Sequence, residues 1–135
     1  MNSENLSRRH INLPSRKAAL PFSDAVLVGN TLYLSGRIGI DPATGLAPAD
    51  IDEELRLLFD EFDAVLGQAG MTMDDLVWVQ VFSPDVSLWE KFNAAYLARF
   101  SRGLPARAFL GSGTLLKNGR FEMMGIAIGK GSSVQ

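Results

Sequence analysis

Two charged residues sit where an apolar strand has little use for charge. Arg107 lies in the run Leu104-Pro-Ala-Arg-Ala-Phe-Leu110, and Glu122 follows Phe121 and precedes Met123-Met-Gly-Ile-Ala-Ile128. A guanidinium can hold a carboxylate through two parallel hydrogen bonds, which an ammonium cannot imitate. A carboxylate among apolar residues is costly unless it is paired or used. Two readings follow. Arg107 and Glu122 form a simple ion pair at the strand ends, or Arg107 grips an anionic substrate while Glu122 handles a proton or a water. Pro105 lacks an N–H and suits the first residue of a strand. Asn118-Gly119 is a hairpin signal, so the spacing predicts two adjacent antiparallel strands with the cation and the anion near the same end.

Fewer signals surround this pair. Asn93 falls beside the inner stripe of a predicted helix, as a structural amide or as a cleft residue. Arg37, between Gly36 and Ile38-Gly39, is a loop charge or a second anion contact. Gly36, Gly111 and Gly113 serve bends or let backbone approach a ligand closely. Trp78, Tyr96 and the Met123-Met124 pair read as packing or interface residues.

The whole chain narrows the chemistry. At 135 residues it is read as one domain, 1–135, with residues 1–8 as a disordered tail. Net charge of −2 offers no broad basic surface for nucleic acid. Without cysteine there is no thiolate nucleophile or zinc–cysteine site, and a single histidine, His10, cannot build a histidine metal cluster within one chain. No apolar run approaches the roughly 18 residues that span a bilayer, and residues 1–15 lack the apolar middle of a secretion signal. A cytoplasmic protein is expected, with neither membrane nor nucleic acid as partner.

The elements that must position the pair are legible from periodicity. Residues 9–13 predict a short edge strand that Pro14 ends. Residues 25–29 and 31–35 are β-rich runs joined at Gly29-Asn30, hence a hairpin. Ile51, Leu55, Leu58, Phe62, Val65, Leu66 and Ala69 recur by threes and fours and predict a helix, with Asp50 and Glu53 as a capping-box-like start and Gly70 as its end. Asp52, Glu53, Asp60, Glu61 and Asp63 lie off that stripe, on a solvated face. Residues 76–82 are nearly all apolar and predict a central strand covered on both sides. Ser87 and Glu90 predict the cap of a second helix, with Leu88, Phe92, Ala95 and Tyr96 on its inner face. The result is an α+β domain, a five- to six-stranded mixed sheet with two helices on one face. The other sheet face then needs a cover, which a symmetric homo-oligomer can provide.

Taken together, Asn30-x-Leu32-Tyr-x-Ser35-Gly36, Asp41-Pro-x-Thr-Gly45, the run from Ala69 to Val77, Phe92-Asn93-x-x-Tyr96, Pro105-Ala-Arg107 and Phe121-Glu122 resemble the RidA family, also called YjgF/YER057c/UK114. The resemblance spans about residues 9–129. It implies a chorismate-mutase-like fold and a homotrimer with an inner sheet barrel and clefts between subunits. It also implies hydrolysis of reactive enamines and imines, such as 2-aminoacrylate or 2-iminopropanoate, to a 2-oxo acid and ammonia without a cofactor. By the same resemblance Arg107 binds the substrate carboxylate, Glu122 positions the attacking water, the backbone amide at Gly36 assists and Asn93 lines the cleft.

Four positions depart from the best-known members. Phe22 replaces a cleft tyrosine, Phe109 a cysteine, Arg37 a glutamine and Gly39 a proline. A reshaped cleft with an added cation at Arg37 suggests a larger or dicarboxylic substrate, such as an aminomuconate-type enamine. The rival expectations are a non-catalytic carboxylate-binding or chaperone-like trimer, and an endoribonuclease, against which the charge and the lone histidine argue.

Overall fold

The computed structural model describes residues 7–16 and 18–130. The expected tail falls mostly on residues 1–6, outside the described residues. Arg8 already belongs to the first strand, β1 (Arg8–Ile11). β2 (Ala25–Val28) and β3 (Thr31–Arg37) follow, then helix α1 (Ile51–Gln68), β4 (Leu76–Ser83), helix α2 (Trp89–Leu97), β5 (Ala106–Gly111) and β6 (Glu122–Ile128). The sheet order is β1-β2-β3-β6-β4-β5. β4 and β5 are parallel, as the α2 crossover between them requires. Every other neighbouring pair is antiparallel.

This order corrects the predicted pairing of the last two strands. β4 lies between β5 and β6, so they share no hydrogen bonds. The residues from 112 to 121 form a long connection rather than a two-residue hairpin. Its positive φ angles fall on Lys117 and Asn118, one position earlier than the Asn-Gly signal suggests, while Gly119 takes an ordinary φ of −65°. Gly119 is needed for space instead, since a Cβ there would sit 2.6 Å from Ile38 Cγ2.

Both helices pack on one face. The α1 stripe (Leu55, Leu58, Phe62, Val65, Leu66, together with Phe59) meets Leu32, Leu34, Val79, Val81, Met123 and Ala127 of the sheet in one buried cluster. Each such side chain contributes roughly 2 kcal/mol by leaving water. Phe92 and Tyr96 of α2 join through Phe59, with ring centroids 5.5 and 6.2 Å away. The helix starts differ in detail from expectation. Asp50 caps α1 by accepting from the Asp52 N–H, while Glu53 turns to Arg56 instead of closing a capping box. Ahead of α2, Asp85 accepts from the N–H and the hydroxyl of Ser87, in place of a Ser87–Glu90 cap. Alternation places Tyr33, Trp78, Gln80, Met124, Ile126 and Ile128 on the other sheet face, where Tyr33, Trp78 and Ile128 are 51%, 37% and 45% exposed. Nothing in the described chain covers them.

One fully buried carboxylate escaped the sequence reading. Glu54 lies on the apolar stripe, three residues after Ile51 and four before Leu58, and has no exposed surface. It accepts from the Arg120 backbone N–H at 2.7 Å and from the Arg120 guanidinium at 2.9 Å. Arg120 also donates to the carbonyls of Pro48 and Ala49. The set ties the start of α1 to the residues just before β6.

Burial raises the Glu54 pKa, and its bonds to Arg120 only partly offset this. A raised folded-state pKa means that the group favours folding most fully below its ordinary value, and that this contribution is lost as pH rises through the folded pKa. Glu54→Ala, which strands the Arg120 guanidinium and the Arg120 backbone N–H, is therefore expected to cost about 3 kcal/mol. Glu54→Gln keeps an acceptor and should cost clearly less at pH 7, with wild type gaining on it as pH is lowered toward 4. Denaturant unfolding of the three proteins across that range checks this. Equal losses for both variants at every pH would show that the ionised carboxylate itself matters.

Candidate active site

Arg107 is the second residue of β5, the sheet-edge strand, and stands opposite Val79 of β4 in parallel register. Val79 is buried against the helices, so the guanidinium leaves the sheet on the helix side. There Nη2 donates to Asn93 Oδ1 of α2 at 2.7 Å. The guanidinium carbon lies 4.6 Å from the Tyr96 ring centroid, 5.1 Å from Trp89, 5.5 Å from Phe92 and 5.7 Å from Phe109. Four aromatic rings thus hold the cation by its faces and one amide holds an edge. Among the described residues no carboxylate is within ion-pairing distance of it.

The helix spacing makes this cradle. Trp89, Phe92, Asn93 and Tyr96 are separated by three, one and three residues and share one face of α2. Phe109 follows Arg107 by two positions, on the same side of β5, and meets Trp89 and Phe92 edge-on at 5.5 Å each. Its bulk is folded back onto α2. The Tyr96 hydroxyl is buried and has no hydrogen-bond partner among the described residues. Burial pushes this phenol up to about 12, and the Arg107 charge pulls the other way.

Glu122 belongs to a different place. It opens β6 opposite Phe82 of β4. Met123 points into the helix layer, so Glu122 lies on the sheet face that the helices leave open. It lines a cavity of about 380 Å³ with Phe22, Ser35, Gly36, Ile38, Leu116 and Lys117. Gly36 lets this carboxylate approach the backbone closely, since a Cβ there would collide with Glu122 Oε2 and lie 3.1 Å from Cδ, and the side chain would have to move. Gly36→Ala is expected to displace this carboxylate and to lower turnover at least tenfold while the chain stays folded. Kinetics beside a thermal melt check this, and a fully active alanine variant would show that the close approach is dispensable.

The expected convergence of Arg107 and Glu122 does not occur within one chain. They flank different residues of β4, three apart, on opposite faces of the sheet. The simple ion pair is excluded for the same reason. Arg37 lies beside the Glu122 half, lining an adjoining cavity with Phe22, Gly36 and Lys117, but it is already paired. Its guanidinium pairs with Asp24 at 3.0 Å and with Glu61 of α1 at 2.6 Å, so it brings no free cation to either half. Asp24, 4% exposed, is the hub of that network and also accepts from Arg16 and from the Leu13 N–H. Asn93 and Phe109 sit with Arg107, while Phe22 and Gly36 sit with Glu122.

The family profile described as Endoribonuclease L-PSP matches residues 13–129. The chain belongs to this family, the YjgF/RidA family. It is 36% identical over 125 residues to the 2-iminobutanoate/2-iminopropanoate deaminase of Capra hircus, covering 91% of each chain. Two solved structures superpose closely. A protein of unknown function of the conserved Rid family from Yersinia pestis gives a TM-score of 0.84 at 32% identity, over 91% of this chain and 100% of that one. The YjgF gene product of E. coli gives 0.81 at 31% identity, over 90% and 99%. The six-stranded mixed sheet with two helices on one face is the chorismate-mutase-like fold of these neighbours. Among the described residues of this RidA-family chain no helix is long and apolar enough to cross a membrane.

Proposed function

We propose that this chain is an imine and enamine deaminase that acts as a homotrimer, with each active site completed between two protomers. Arg107 and Asn93, with Phe109, come from one protomer, and Glu122, Gly36 and Phe22 from its neighbour. The observation that carries this reading is the Arg107 guanidinium. It is fixed by Asn93 and four rings, yet it has no carboxylate of its own among the described residues. Such a group is a prepared receptor for a substrate carboxylate. The uncovered apolar sheet face supports assembly, and several relatives are named 2-iminobutanoate/2-iminopropanoate deaminases.

The chemistry needs few parts. An enamine first gains a proton on its β carbon and becomes the iminium ion, the protonated imine, whose carbon is electrophilic. Arg107 fixes the carboxylate beside that carbon. Glu122 accepts a proton from a water as the new C–O bond forms, giving a carbinolamine. The carboxyl then returns that proton to the nitrogen, the C–N bond breaks to release ammonia, and the hydroxyl gives its own proton back to the Glu122 carboxylate as the C=O of the 2-oxo acid forms. With Arg37 engaged by Asp24 and Glu61, the geometry lends no support to that residue holding a second carboxylate, as an aminomuconate-type substrate would need.

A coupled assay with a pyridoxal-phosphate dehydratase, which releases 2-aminoacrylate from serine, tests the proposal. Faster 2-oxo acid formation from the released intermediate than in buffer alone is expected. Tight carboxylate binding with no such acceleration would replace it with the non-catalytic trimer.

A further inference from the structure

We infer that Trp89 and Phe109 form an apolar ledge for the substrate side chain, and that the preferred substrates are 2-imino acids with a bulky aromatic side chain. This rests on the deaminase reading above. Trp89 is the first residue of α2 and touches the carboxylate clamp directly, 5.1 Å from the guanidinium carbon. Unlike Phe92 and Tyr96, which are buried, it remains 48% exposed. Phe109 supports it edge-on from below. An imine whose carboxylate lies on Arg107 carries its side chain on the imine carbon, the carbon next to that carboxylate, within reach of the indole 5.1 Å from the guanidinium carbon. A small side chain leaves the ledge wet, whereas an aryl group covers it and gains aromatic contact.

The half that holds Glu122 has the same character. Phe22 is 48% and Leu116 76% exposed, and both line its cavity beside Ile38. In the proposed assembly they face the ledge across the reacting carbon. The charge distribution points the same way. Arg37 is engaged by two carboxylates, and Lys117 is the cation that remains beside Glu122. A dicarboxylic imine would have to rely on Lys117, which makes the glutamate-derived imine the rival to test.

Imines generated in situ by an amino-acid oxidase from alanine, phenylalanine and glutamate provide the experiment, with the decay of each followed by absorbance. The phenylalanine-derived imine is expected to give a kcat/KM about tenfold or more above the other two, the scale that apolar pocket contacts reach. Trp89→Ala should lower the phenylalanine-to-alanine ratio by a similar factor, chiefly through KM, and Trp89→Phe should restore most of it. Preference for the alanine- or glutamate-derived imine, or a ratio unmoved in Trp89→Ala, overturns the ledge while the deaminase reading stands. If no imine decays faster than in buffer, the deaminase reading itself falls.

Discussion

Replacing Arg107 with alanine is expected to lower kcat/KM by about a hundred- to a thousandfold, the usual loss when one partner of a desolvated, hydrogen-bonded charge pair is removed. The geometry says why the effect should be this large. Asn93 accepts from one nitrogen, and no carboxylate among the described residues takes the others. The rings of Trp89, Phe92, Tyr96 and Phe109 fix the guanidinium before any ligand arrives. Little entropy is left to lose on binding, so most of the interaction is available for orienting the imine. Arg107→Lys should lose nearly as much, because an ammonium over the same rings keeps the charge but not the two-pronged geometry. Stability should fall by only about 1 kcal/mol, the scale of cation–π contacts near a surface. Steady-state kinetics and a thermal melt on the same preparations separate the two effects. A variant with undiminished kcat/KM would show that the carboxylate is held elsewhere.

The layers of the fold were legible because burial leaves a period. The α1 stripe, the Gly29-Asn30 hairpin and the near-continuous apolar strand β4 each repeat at the spacing their surroundings demand. Which strands are neighbours is a different kind of information. The Asn118-Gly119 signal marked a turn but not the hairpin it suggested, with the positive φ angles one position earlier, and local turn chemistry cannot reveal that β4 enters between β5 and β6. That insertion decides the site. It separates Arg107 from Glu122, and strand alternation then sends them to opposite faces. Charges were the other weak point. Arg37 reads as a loop charge or a second anion contact and Glu54 is not singled out, yet both have partners from distant segments, Asp24 with Glu61 for one and Arg120 for the other. The position of Glu54 on the α1 stripe was the available clue. The family motifs, by contrast, named Asn93 and Gly36 without any knowledge of topology, and these lie beside Arg107 and Glu122 respectively.

The opposite-face placement makes an experiment possible that a single-chain site would forbid. Glu122→Gln keeps the size of the side chain and its approach to Gly36 but removes the proton acceptor. Turnover is expected to fall by about 10²–10⁴-fold, the range that a general base supplies. Arg107→Ala is disabled in the other half. If the cleft lies between protomers, trimers reassembled from equal amounts of the two variants contain some interfaces where an intact Arg107 meets an intact Glu122. Half of the protomers bring the first and half of their neighbours bring the second, so about a quarter of wild-type activity should return. A site built within one chain returns none, because every chain carries one lesion. Native mass spectrometry with one variant tagged establishes that the trimers are mixed. Silence from demonstrably mixed trimers would remove the cross-protomer cleft, and with it the only arrangement in which these two residues can act on one substrate.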